Sequence, residues 1–71
     1  MFSWTIEYTT LNDDLNEPVE HNVERHNWRD TLDLFIRCVE NHDCTGCKVT
    51  CYLGGIPYPT ADPVVLEYRP T

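Results

Sequence analysis

No lysine or arginine occurs in residues 1–24, although six carboxylates do: Glu7, Asp13, Asp14, Glu17, Glu20 and Glu24. That lack excludes this part as a binder of nucleic-acid backbone or of an anionic membrane, both of which need cations. Also lacking is any apolar run near the roughly 20 residues of a membrane span. Met1-Phe2-Ser3-Trp4-Thr5 has neither a basic n-region nor an apolar h-region, so no secretory signal is read there. A cytosolic protein with reduced thiols is therefore expected. Gly54-Gly55 is not followed by Lys-Ser/Thr, which excludes a phosphate loop. Oxygen ligands at the regular spacing of an EF-hand are missing. There are no internal repeats and no low-complexity tracts.

What is present fits one small domain spanning 1–71. The chain carries twelve acids and five bases, a net charge of −7. Residues 1–24 account for −6 of it, because the remaining six acids nearly balance all five bases. Two Trp, four Tyr and two Phe can supply a core. A chain of this length buries only about 60% of its unfolded surface, which leaves little room for a deep catalytic cleft.

Alternation organises the N-terminal third. Phe2, Trp4, Ile6 and Tyr8 alternate with Ser3, Thr5, Glu7 and Thr9, the period of a half-buried strand. Asn12 to Asn16 is a turn by composition, and residues 19–26 alternate again, giving a hairpin. Asn27 is a good helix N-cap, and Asp30 favours the positive helix start. Trp28, Leu32, Phe35, Ile36 and Val39 then form one apolar stripe, with Asp33 and Arg37 paired outside it. The helix should end near Asn41. Cys47, Val49, Cys51 and Leu53 share one face of a third strand, opposite Lys48, Thr50 and Tyr52. Gly54-Gly55 should break it. Ile56–Pro63 reads as an extended loop because of its three prolines. Val64–Arg69 reads as a last short strand. The expected fold is α+β, in the order β-β-α-β-β, with one helix on one face of a small antiparallel sheet.

Four cysteines lie within fourteen residues, as C-x5-C-x2-C-x3-C with His42 among them. Tetrahedral zinc takes such ligands, with sulfurs about 4 Å apart. On a regular strand Cys47 and Cys51 stand roughly 13 Å apart, so both cannot serve one ion. A set of Cys38, His42, Cys44 and Cys47 survives that objection. The opposing reading has Cys47 and Cys51 as small core hydrophobes, all thiols free and no cofactor; a disulfide is the third alternative, disfavoured in a reducing compartment. Cys38 and His42, at helical i, i+4 spacing, could pair as nucleophile and base. Cys38 falls on the flank of the stripe, however, and nothing offers an oxyanion hole. No enzyme activity is expected. Trp4 and Trp28 are expected to be core anchors.

The acidic hairpin remains. Glu7, Asp13, Asp14, Glu17, Glu20 and Glu24 form either a solvated face or a patch that docks on a basic protein surface. An unpaired edge strand beside it could add main-chain hydrogen bonds to a partner.

The pattern Trp4-Thr5-Ile6-Glu7-Tyr8, an acidic turn, Val19-Glu20-His21-Asn22-Val23, then Asn27-Trp28-Arg29-Asp30-Thr31-Leu32 opening a helix, resembles small acidic bacteriophage proteins. These include the short inhibitors of host RNA polymerase. The resemblance covers residues 2–53. It implies a phage product that binds and modulates a host protein, such as RNA polymerase or a nuclease or defence complex. No direct nucleic acid or membrane contact is implied, and the chain would be a monomer or weak dimer. A zinc module and a self-associating virion or assembly component are the alternatives.

Overall fold

The computed structural model describes residues 1–12, 14 and 17–70. Among these residues five strands and one helix follow each other as β1 (Phe2–Asn12), β2 (Glu17–Arg25), α1 (Trp28–Glu40), β3 (Cys44–Leu53), β4 (Ile56–Pro57) and β5 (Val64–Tyr68). The sheet is antiparallel throughout, in the order β2-β1-β3-β4, with β5 also pairing β3. The expected α+β fold is thus observed. Asp13, Leu15 and Asn16 of the expected turn lie outside the described residues.

Register explains the core. Val23, Ile6, Val49 and Leu66 stand side by side across four strands. His21, Tyr8, Cys47 and Tyr68 form the neighbouring row on the same face. Helix α1 covers this face, packing on β1 and β3. Ile6 and Val49 are fully buried, joined by Cys38, Cys44 and Cys47. The opposite face carries no helix. Its rows are Glu24-Thr5-Thr50 and Asn22-Glu7-Lys48-Glu67.

Asn27 caps α1 as expected. Its side-chain oxygen accepts from the Arg29 and Asp30 backbone N–H groups at 2.8 and 3.4 Å. The buried stripe differs from the expected one. Thr31 and Cys38 are buried, and Leu34 and Phe35 pack on the core. Trp28, Ile36 and Val39 are exposed at 41%, 44% and 37%. Residues 31, 34, 35 and 38 keep the same i, i+3, i+4, i+7 spacing, turned round the helix. Burying Thr31 is cheap because its hydroxyl donates to the Asn27 carbonyl at 2.9 Å, so no polar group is orphaned. Cys38 therefore occupies the centre of the stripe, not its flank.

Gly54-Gly55 ends β3 at Leu53, as expected, and one further correction concerns the proline-rich segment. Both glycines have positive φ, 59° and 85°, and they join Leu53 to Ile56 across a two-residue hairpin. Positive φ at both central residues marks the type I′ turn, one of the two whose twist matches the flanking strands at that length. Ile56–Pro57 is accordingly a short strand at the start of the expected loop.

Candidate functional site

The helix-free face is the polar one, and strand parity places its side chains. Glu7, Glu20 and Glu24 project from it, since each alternates with a residue of the core face. Glu17 shares the parity of His21 and Val23 and lies on the helix side of the sheet. The six carboxylates expected to act together are thereby divided. Asp14 is exposed in the turn, and Asp13 lies outside the described residues.

A shallow depression of about 470 Å³ opens at the middle of the sheet, lined by the His21-Tyr8-Cys47-Tyr68 row and by residues of the helix-free face on either side of it. Glu7, Thr9, Glu20, Asn22, Lys48, Glu67 and Arg69 line it, and Gly46 contributes space where a side chain would stand. Its charges are mixed. Lys48 is the register neighbour of both Glu7 and Glu67. Arg69 grips Glu67 through Nε and Nη2, at 3.1 and 3.2 Å from the two carboxylate oxygens. Uncompensated acid is left mainly on β2, at Glu20 and at Glu24, whose carboxylate lies 3.7 Å from the exposed His26 ring. The acid patch is narrower than expected, because the tertiary fold brings Lys48 alongside Glu7.

All four cysteines are free and buried. Cys38 of α1 meets Cys44 and Cys47 of β3 in the core. Burial pushes the Cys47 thiol up to about 12, helped by the neighbouring Cys38. Burial also raises Cys38, partly offset by a hydrogen bond with Cys47. Such thiols stay protonated at neutral pH and make poor nucleophiles. His42 is exposed in the turn after the helix and has no place in the cluster. Neither the possible Cys38–His42 pair nor the alternative ligand set Cys38, His42, Cys44 and Cys47 is brought together in this arrangement. Among the described residues, no group of three or more His, Cys, Asp or Glu side chains is placed to hold a metal ion. Cys51 lies on the same strand face, in the row of Trp4.

At the far end of the sheet the aromatic side chains form a chain. Tyr58 meets Phe2 edge-on at 5.7 Å, Phe2 stacks on Trp4 at 6.3 Å, and Trp4 meets Trp28 at 5.6 Å. Trp4 packs against the core. Trp28 is not the expected core anchor but the exposed end of this series. Near the middle of the hairpin, His21 lies flat on Tyr8 at 4.5 Å, and its Nε2 is 2.9 Å from the Thr10 hydroxyl. Neither arrangement was visible in one-dimensional spacing, because each joins residues of different elements.

No described helix is long and apolar enough to cross a membrane. Compared with protein-family models, curated proteins and solved structures, the chain gives no significant match to any of them.

Proposed function

We propose that this chain is a binding module that docks its β1–β2 hairpin on a basic protein surface. The observation that carries the reading is the segregation of charge. Glu20 and Glu24 project together from the helix-free face of β2, without a lysine or arginine beside them in the register. Arg25, the one cation of that strand, has the opposite parity. Carboxylates held on a rigid strand cost little entropy to present, and they speed encounter with a positive partner.

The partner class that suits such an array is a protein with a nucleic-acid channel, where carboxylates compete with phosphate. A phage-encoded modulator of a host polymerase, nuclease or defence protein is the form of this reading supplied by the sequence resemblance.

The test compares wild type with Glu20→Lys/Glu24→Lys as baits in a bacterial lysate, with elution by rising salt. Wild type is expected to retain basic proteins that leave as the salt climbs from about 0.05 to 1 M and the Debye length shrinks from above 10 Å to about 3 Å. The reversed variant should retain none of them. Identical captures by both baits, or captures indifferent to salt, would refute the reading.

A further inference from the structure

We infer that β2 is a self-complementary edge, and that two copies of this chain join through it into one continuous antiparallel sheet. The inference is independent of how the acidic face is used. Among the described residues β2 pairs only with β1, so its outer side is an open edge of nine residues. Open edges of that length invite pairing.

The direction of the free backbone groups follows from two hydrogen bonds. The Leu11 N–H donates to the Asp43 carbonyl at 2.9 Å, away from β2. The Cys51 N–H donates to the Pro63 carbonyl at 2.9 Å, away from β1, so its register partner Trp4 must turn its own groups toward β2. Both place the even residues of β1 in hydrogen-bonded pairs with Val19, His21, Val23 and Arg25. The intervening residues therefore aim outward: the N–H and C=O of Glu20 and Asn22, the N–H of Glu24 and the C=O of Pro18, while the Glu24 C=O accepts from Arg25 Nη1 at 3.1 Å. Pro18 has no N–H to lose there, as suits a proline on an edge.

One register uses the whole strand, and it is centred on His21. It sets Glu17 opposite Arg25 of the second copy at both ends, and Val19 opposite Val23 inside them. The two His21 residues meet at the dyad. On the other face Glu20 falls opposite Asn22, and Glu24 opposite Pro18. Opposite charges and β-branched pairs directly across a ladder are favourable. Moving the centre to Asn22 would instead put Glu20 directly opposite Glu24, a repulsive pair. In the His21-centred register those acids are only diagonal, about 7–8 Å apart. Neither Glu17 nor Arg25 forms an ion pair among the described residues; Arg25 Nη1 donates to the Glu24 carbonyl at 3.1 Å, a contact that pairing with Glu17 of the second copy replaces. Val19 is 40% exposed and gains cover. The opposite margin of the sheet is a worse template, since β5 has five residues, a register shift against β3 and prolines at 63 and 70.

Sedimentation over a concentration series tests the proposal. Wild type should pass from 8.3 kDa to twice that mass as concentration rises. Glu17→Arg alone and Arg25→Glu alone each make two like-charge pairs, and each should weaken the dimer about tenfold or more. An equimolar mixture of the two variants restores both opposite-charge pairs and should recover dimers at wild-type concentration. Asn22→Pro, which removes an outward N–H without touching the β1 ladder, should be monomeric with an unchanged far-ultraviolet spectrum. Glu20→Lys/Glu24→Lys should still dimerise, which separates this inference from basic-surface docking. A wild type that is monomeric up to millimolar concentration overturns the proposal. Dimers that persist in both single variants, or a mixture that fails to recover them, do the same.

Discussion

At the scale of single residues, Cys47 connects burial to pH. A buried thiol that must stay neutral holds its proton more tightly in the fold than in the unfolded chain. It has an ordinary value of 9.0 and is pushed up to about 12 by burial. Below pH 9 both states are protonated, and the contribution to stability is complete. Between 9 and about 12 the unfolded chain loses its proton first, so stability falls as pH rises. The urea midpoint of wild type should therefore drop steeply from pH 8 to pH 11. Cys47→Ala should start lower, because it leaves a small cavity, but decline less steeply. Equal slopes would show that the thiol titrates normally. Cysteine spacing indicated a cluster, and a cluster exists. Its membership was not legible, because the side chains converge from α1 and β3, and distance along the chain says nothing about which way Cys38 faces.

At the scale of elements, α1 separates what local sequence can specify from what it cannot. Its start is a local matter. The Asn27 side chain meets two N–H groups that have no partner inside the helix, and the residue type alone announces it. Asn27→Ala should cost about 1 kcal/mol, read as a lower denaturation midpoint with the folded spectrum preserved. The inward face is not local. Two stripes, 28/32/35/36/39 and 31/34/35/38, have nearly equal periodicity, and the expected one is richer in large apolar residues. The sheet selects the other. Small Thr31 and Cys38 allow the helix to come close over Ile6 and Val49, while the Thr31 hydroxyl keeps its hydrogen bond. Strand β4 was missed for a different reason. Gly54-Gly55 does end β3, but a glycine pair between apolar residues signals a tight hairpin as well as a break.

The whole molecule is a sheet with one covered face, extended over 40 × 23 × 19 Å. Among the described residues its largest fully buried side chains are Ile6, Val49 and Thr31. So small a core has little redundancy, and each buried methyl group is a sizeable share of the total stability. Ile6→Ala should cost about 2–5 kcal/mol and lower the melting temperature by roughly 10 °C or more, as differential scanning calorimetry would show. A shift below a few degrees would mean that Ile6 is not the keystone its burial makes it. The bare face and the open β2 edge are consequences of the same economy. One helix of thirteen residues can cover β1 and β3 on one side only.

By itself the sequence determined the alternating strands, the cap at Asn27, the α+β class and the crowding of acid into the first hairpin. Each is set by neighbours within a few residues, through backbone preference, side-chain period or composition. Only the tertiary structure decided which helix stripe is buried. It also decided that Glu17 parts from Glu20 and Glu24, that Lys48 stands beside Glu7, and that three thiols meet while His42 stays outside. These depend on register and on contacts between elements far apart in the chain. A shift of one residue in pairing exchanges the two faces of a strand, and no local pattern records which pairing is formed.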